Sequence, residues 1–528
     1  MDGAGGRTGD APSWGGANKW IVAVTVMLPT LIEIIDTSVA NVALDHIRGS
    51  LSSGIDESAW VLTSYLVSNA IVIPMTGWLA RTFGRKRYLT FSVLLFTASS
   101  FLCGSSTSLG MLVFFRVLQG IGGGALQPMS QAILLETFPP REHGMAMAIF
   151  GIGAMFGPIA GPLMGGYITD TLSWRWIFYV NIPIGLFAVF MVSLFIHDPP
   201  YLRQRGGGKA DRWGIALLVV WVGALQIVVD KGQREDWFRS DFILVLSAVS
   251  ALALILFVIV ELYVAEHPVV DLRAFRNLSF ASGNVVMFVA FFNLLGSIVL
   301  LPLYAQLLMG YTATLAGLVL SPGGVATLVT MPVVGRFIGR HNPKYALVLG
   351  ILLCAYATWT MSNFSLAADF NSLLAPRITL GFGMGLLFIP LTTLTLSSIP
   401  KPQMGNATGI YNLLRNLGGS IGVAFSATMF TRRAQVHQSR LAEHLTTLDE
   451  GLRAAVAKGQ ALLPSRGVPE ALAKNGALGR IYAQVVRQAT MLGFNDAFYV
   501  LSLMMACVLP LLLLLRRPAH QTAPAAGH

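Results

Sequence analysis

The sequence predicts an all-α integral membrane protein. Fourteen transmembrane helices fall into two six-helix pseudo-repeat halves, with two further helices inserted between them. Three observations predict this. The 528 residues are 54% hydrophobic and only 12% charged, with mean hydropathy +0.65, whereas a soluble domain carries about 25% charged residues. Fourteen apolar runs are long enough to cross a bilayer or nearly so, since a span needs about 20 residues. The chain also repeats itself at a constant offset of 261 residues.

The runs lie at 20–43, 58–79, 88–107, 110–132, 143–168, 175–196, 213–229, 242–264, 279–309, 313–338, 344–363, 371–398, 406–430 and 494–515. Residues 1–18 are small, polar and Gly-rich, and no cleavable signal peptide precedes the first run. The expected organisation is a disordered N-terminus (1–19), a first six-helix bundle (20–197), a linker with the two inserted helices (198–278), a second bundle (279–515) and a tail (516–528).

Lys and Arg counts set the orientation. With both termini cytoplasmic, cytoplasmic segments hold 19 of the 36 basic residues and the short outer loops hold five. Arg116, Arg377 and Arg415 remain at or near membrane depth, and the last nine lie in 431–493, outside by alternation. The formal charge of +11 therefore reports topology and not a nucleic-acid partner. In 431–493, Leu441, Leu445, Leu448 and Leu452 follow helical spacing, and a second helical stretch follows Pro469. This segment is either a soluble cap over the outer face or a docking site for a partner. Cys103, Cys354 and Cys507 each sit in an apolar run and read as small core residues without metal or disulfide spacing.

The repeat is legible without any alignment to other proteins. RVLQGIGGG (116–124) matches RITLGFGMG (377–385), and at the same offset Pro139, Gly144, Gly157 and Gly161 meet Pro400, Gly405, Gly418 and Gly422. Parallel six-helix halves around a central path are the architecture of major facilitator transporters, which rock one half against the other.

Ionisable groups inside a membrane are rare and usually functional. Span 1 carries Glu33 and Asp36, three residues apart and hence on one helix face, with Thr37 and Asn41 as polar neighbours. Span 4 carries Arg116, with Gln119 and Gln127 near the same face. A buried carboxylate can gain a proton, while an arginine cannot lose one. Asp36 is therefore the candidate proton carrier and Arg116 its partner; a static pair joining spans 1 and 4 is the alternative. Glu33 is a second coupling candidate, a site for a cationic substrate, or a group facing water. Asn412, Arg415, Asn293 and Gln306 are candidates for a cavity lining toward an anionic or amphipathic ligand, or polar packing between helices. Span 5 has Gly153, Gly157, Gly161 and Gly165 at every fourth position, interleaved with Pro158 and Pro162. Such a face lets another helix approach closely and reads as a hinge or sliding surface. The sequence contains no P-loop and no HExxH, CxxC or GxSxG motif. No enzyme chemistry, metal or cofactor is expected, and the energy source would be an ion gradient.

These residues resemble the major facilitator superfamily, specifically its fourteen-helix drug:proton antiporter group. IDTSVANVAL (35–44) resembles that group's span-1 signature, with Asp45 where the pattern ends in proline. RVLQGIGGG resembles the span-4 motif, which implies a coupling role for Arg116, and GPIAGPLMGG (157–166) resembles the span-5 antiporter motif. GWLARTFGRKR (77–87) resembles the superfamily's first cytoplasmic loop, with Gly77, Gly84, Arg85 and Lys86 in place but Arg81 at the usual aspartate position. DWF (236–238), PVVDL (268–272), GYTAT (310–314) and the long loop before the last span are shared with inner-membrane pumps of tripartite efflux systems. The resemblance implies proton-coupled export of hydrophobic or amphipathic toxic compounds across a bacterial inner membrane. It also implies a periplasmic adaptor of the EmrA type and an outer-membrane channel of the TolC type. A narrow exporter of one metabolite, siderophore or lipid, and a non-transporting scaffold or sensor, are the other readings.

Overall fold

The structure is a computed structural model that describes residues 18–199, 211–338, 342–443, 445, 449–466 and 469–515. Of the two tails read from the sequence, only Asn18 and Lys19 fall within the described residues; part of the linker at 200–210 also lies outside them.

The helices that cross the bundle are α1 (Lys19–Ser50), α2 (Trp60–Phe83), α3 (Arg85–Ser105), α4 (Leu109–Thr137, interrupted at Gly124), α5 (His143–Thr171), α6 (Trp176–Phe195) and α7 (Arg212–Lys231). They continue with α8 (Asp241–Val264), α9 (Leu278–Met309), α10 (Ala313–Ile338), α11 (Pro343–Met361), α12 (Phe370–Leu396), α13 (Met404–Glu443) and α14 (Glu470–Cys507). Twelve described helices are long and apolar enough to span a membrane. α5 and α13 complete the set at 29 and 40 residues; α13 buries Asn406, Asn412 and Arg415 among its neighbours, which lowers its hydropathy without removing it from the bundle. Several starts are capped by side chains accepting from backbone N–H groups: Asn18 on α1, Ser108 on α4, Asn277 on α9 and Asp369 on α12.

The halves repeat in packing as well as in sequence. α1 packs on α5, α2 on α4, α3 on α4 and α3 on α6; correspondingly α9 packs on α13, α10 on α12, α11 on α12 and α11 on α14. The inserted α7 and α8 pack on each other, and α7 lies against α2 and α13. It is tied to one half by Thr63–Asp230 and to the other by Gln226–Ser420 at 3.2 Å; Trp237, in the turn that follows it, donates from Nε1 to Thr428 at 2.9 Å.

With fourteen crossings, both ends of the bundle lie on one side, the terminal face; the segment between α13 and α14 lies on the opposite loop face. The halves join across α2–α13 and α5–α10. Their closest approaches all fall on the terminal half of those helices. A Cβ on Gly77 would sit 2.4 Å from the Asn406 nitrogen, and one on Gly335 would sit 2.8 Å from the Ala148 Cβ and 3.0 Å from the Gly144 oxygen. Toward the loop face, the α1 stripe Glu33, Thr37, Asn41 passes from buried through half-buried to exposed. The halves thus make their closest contacts at the terminal face, while the α1 stripe grows more exposed toward the loop face.

In the segment 431–493 the helix expected after Pro469 forms, and the one expected before it does not form as a single element. α13 continues unbroken to Glu443 and α14 begins at Glu470. The helix expected through Leu441, Leu445, Leu448 and Leu452 does not form as one element: α13 ends at Glu443, Leu445 is non-helical and a new helix, Glu450–Leu462, begins with Asp449 as its cap; Leu448 lies outside the described residues. That helix packs on the start of α14 through Val456, Leu463, Ala473 and Ala477.

Candidate functional site

Asp36 and Arg116 meet in the interior of the first half. The Arg116 Nη1 lies 2.6 Å from Asp36 Oδ2, and the two residues are 0% and 2% exposed. Gln119 Nε2 and Asn181 Nδ2 both donate to Asp36 Oδ1, at 2.9 and 2.8 Å. Arg116 also donates to Gln119 Oε1 at 2.8 Å and, through Nε, to the Val61 carbonyl at 3.0 Å. Its guanidinium lies over the Tyr65 ring, 4.2 Å from the centroid. The carboxylate therefore accepts three donors from α4 and α6, one of them charged. Isolated buried charges are very costly, and pairing with hydrogen bonding offsets that cost. A proton arriving at Asp36 would remove the charge that holds this network together.

Asn181 is absent from the candidates read from the sequence. It is the lone amide in the largely apolar run at 176–196, and that isolation is the signal that marks it. It also donates to Ser100 Oγ at 3.1 Å, which ties α6 to α3. Gln119, expected along a cavity, is fully buried in the Asp36 network instead.

A second cluster lies where the halves meet. Gln127 Nε2 donates to Glu33 Oε2 at 2.5 Å, and Asn69 and Tyr65 of α2 donate to Oε1 at 3.3 and 3.4 Å. From the other half, Arg415 Nη2 donates to Gln127 Oε1. Asn412 donates to Gln131 at 2.7 Å, also between α13 and α4. Arg415 stands over the Phe291 ring at 5.3 Å. Phe291, Phe388 and Phe150 follow one another at centroid distances of 6.2 and 6.4 Å, forming an aromatic floor to which both halves contribute.

The remaining candidates separate. Thr37 and Asn41 lie beside Glu33 on the stripe that opens to the loop face. Asn293 is buried away from it, donating to the Leu501 carbonyl of α14 at 3.0 Å, and Gln306 is exposed near the loop-face end of α9. Arg377, the repeat counterpart of Arg116, is directed to the Leu320 carbonyl at 3.4 Å; among the described residues it forms no ion pair.

Gly153, Gly157 and Gly161 seat α5 on α1 within one half. Added Cβ atoms would meet Met27, Ile34 and Ser38 side chains at 2.3, 2.1 and 2.4 Å, and one on Gly165 would lie 3.0 Å from Val39. The face is a close intra-half contact, while α5 meets the other half through Gly144, Ala148 and Gly151. The side chains of Pro158 and Pro162 lie outside those described. In the loop motif, Gly77 contacts α13, and Gly84 adopts φ +85° beneath the Asp198 carboxylate. Arg85 pairs with buried Glu136 through two bonds of 2.8 Å. The Lys86 backbone N–H donates to Asp198 Oδ1 at 2.9 Å. Arg81 stands half-buried in the last turn of α2. Asp198 and Glu136 are supplied from distant helix ends, so the motif alone does not reveal them.

The family comparison agrees with this architecture. Residues 26–423 match the Major Facilitator Superfamily. The chain is 35% identical over 488 residues to the multidrug export protein EmrB of Escherichia coli (strain K12), covering 92% of this chain and 93% of that protein. It is 32% identical over 509 residues to the fatty acid resistance protein FarB of Neisseria gonorrhoeae, covering 96% and 98%. Its fold is similar to that of the human organic anion transporter MFSD10 (TM-score 0.60, 14% identity, 95% of this chain and 100% of that one). A matching family over most of the chain, paired six-helix halves and a buried polar centre together assign it: the chain belongs to the Major Facilitator Superfamily.

Proposed function

We propose that this transporter exports hydrophobic or amphipathic compounds in exchange for protons, by alternating access. The observation that carries the proposal is the buried Asp36–Arg116 pair, braced by Gln119 and Asn181. It adjoins the polar stripe that grows more exposed toward the loop face. Asp36 is the proton carrier; Arg116 stabilises its ionised form and is released when it is neutralised. Proton binding from the outer side and compound release favour one orientation of the halves; proton loss and compound loading inside favour the other. The proton gradient supplies the energy, and no cofactor takes part. The relatives named for multidrug export and for fatty acid resistance support an apolar or amphipathic substrate.

The test is proton release on adding a bound compound to detergent-solubilised protein in weak buffer. Wild type is expected to release protons and Asp36→Asn is expected not to. No release by wild type, despite measured binding, would overturn the exchange reading. Release by both would move the carrier to another group.

The proposal extends to location and assembly. The protein sits in the bacterial inner membrane with both termini cytoplasmic, so the loop face is periplasmic. There the α13–α14 extension and the helix Glu450–Leu462 dock a periplasmic adaptor of the EmrA type, which leads to an outer-membrane channel of the TolC type. Replacing 444–469 by a short Gly-Ser linker is expected to leave membrane insertion intact and to abolish co-purification with the adaptor. Undiminished co-purification would refute this docking role.

A further inference from the structure

Two guanidinium groups are buried near the centre of this transporter, and they are satisfied very differently. Arg116 has a carboxylate at 2.6 Å. Arg415 is 4% exposed and, among the described residues, has no ion-pair partner. One of its nitrogens donates to the Gln127 side-chain oxygen, while its Nε and Nη1 are buried with no hydrogen-bond partner. A buried charged donor left unpaired is strongly unfavourable. The nearest compensating charge is Glu33, reached only through Gln127, whose Nε2 donates to Glu33 Oε2 at 2.5 Å. Gln127 thus presents its oxygen to the cation and its N–H to the anion, and a single amide side chain separates the two charges.

We propose that Arg415 is the anion-recognising residue of the transport cavity, that Glu33 acting through Gln127 is its resident competitor, and that the pair selects amphiphiles bearing a single carboxylate. Either edge of the planar guanidinium, Nε with Nη2 or Nη1 with Nη2, matches a carboxylate with two parallel N–H donors. On Arg415 each edge pairs one idle nitrogen with the Nη2 that also donates to Gln127, so an entering carboxylate competes with Gln127 for it. Phe291 beneath it is partly exposed and supplies an apolar surface for the rest of such a ligand, backed by the buried rings of Phe388 and Phe150. The ligand carboxylate and Glu33 draw on the same positive charge. Removing the Glu33 charge therefore strengthens the hold on an acid and leaves a neutral analogue unaffected. The role is one of specificity, separate from the coupling assigned to Asp36, and it rests on the transport reading only in taking the central space as the ligand's path.

The test is equilibrium binding to full-length protein in nanodiscs, using dansylated undecanoic acid and its methyl ester as the matched pair. Wild type is expected to bind the acid more tightly than the ester. Arg415→Gln is expected to weaken acid binding by about tenfold or more, the size of one charged hydrogen bond, with the ester changed less than about twofold. Glu33→Gln is expected to tighten acid binding several-fold with the ester unchanged. Equal binding of acid and ester by wild type, or parallel loss of both in Arg415→Gln, would overturn the proposal. If Arg415→Gln does not yield monodisperse protein, Arg415→Lys and Glu33→Gln decide. The lysine keeps the charge without the fork and is expected to weaken acid binding selectively; an unchanged acid-to-ester ratio in both variants rejects the pair. Repeating the measurement in Asp36→Asn separates the two ideas. Charge selectivity there without proton release in wild type would leave the pair standing and the exchange mechanism refuted. Proton release in wild type without charge selectivity would do the reverse.

Discussion

Asp36→Asn is expected to lower export against a gradient about 100-fold while leaving downhill exchange and ligand binding within a few-fold of wild type. Every partner of Asp36 is a donor: Arg116 Nη1, Gln119 Nε2 and Asn181 Nδ2. Asparagine offers one oxygen in place of two and adds an N–H that faces those donors, so the network survives only in part. The side chain is also permanently neutral, which fixes the site in the condition a bound proton would create. If Asp36 couples the proton to the conformational change, losing its titration removes that coupling free energy. Couplings of about 1–3 kcal/mol correspond to factors of about 5–150, so uphill export should fall by about 100-fold. The measurement is efflux from proteoliposomes with and without an imposed pH gradient. Uphill export at wild-type rates would assign Asp36 and Arg116 a purely structural role. Arg116→Gln should reach the same phenotype by the opposite route. The orphaned carboxylate can take up a proton, whereas the orphaned guanidinium in Asp36→Asn cannot lose one.

The residues of this site were unequally legible in the sequence. Asp36, Glu33 and Arg116 stand out because a charge inside an apolar run is costly enough to need a reason. Their partners do not stand out in the same way. Tyr65, Asn69 and Gln131 are ordinary polar residues whose importance lies in which helix they face, and that is fixed by packing between segments far apart in the chain. Gln127 was legible as polar and near Arg116, but its position between Glu33 and Arg415 depends on the contact between halves. The four-spaced glycines announced a close helix approach, and α1 is the helix they meet; spacing carries no information about which neighbour fills the groove. The spans were readable where hydropathy alone decides them. The extension of α13 to Glu443 was not, because a helix leaving the bilayer no longer needs an apolar surface; the helix after Pro469 was legible, but not that it runs unbroken into the last span.

Bulky residues at the glycines between the halves should trap the protein away from the state seen here. Gly77 abuts backbone: an added Cβ would lie 2.4 Å from the Asn406 nitrogen and 2.7 Å from the Gly405 carbonyl carbon. On the symmetry-related contact, Gly335 faces the Ala148 Cβ at 2.8 Å and the Gly144 oxygen at 3.0 Å. Backbone cannot rotate aside as a flexible side chain can, so Gly77→Val or Gly335→Val must move whole helices apart at the terminal face. Overpacking of this kind costs about 1–3 kcal/mol, and here the cost falls on one conformation only. The equilibrium should therefore shift about 5- to 150-fold toward the arrangement with the terminal face open. A reporter follows from the exposed end of the polar stripe. In a Cys507→Ser background, Asn41→Cys should react with a membrane-impermeant maleimide from the loop face, because Asn41 is exposed there and Cys103 and Cys354 are buried. Adding Gly77→Val should slow that labelling by at least about fivefold. Gly157→Ala is the control: its Cβ would strike Ile34 at 2.1 Å, a contact inside one half that both conformations share, so it should lower thermal stability without changing the labelling rate. Equal labelling in the Gly77 variant would mean that the α2–α13 contact does not distinguish the two states. The closing surface would then have to be sought on α5 and α10 alone.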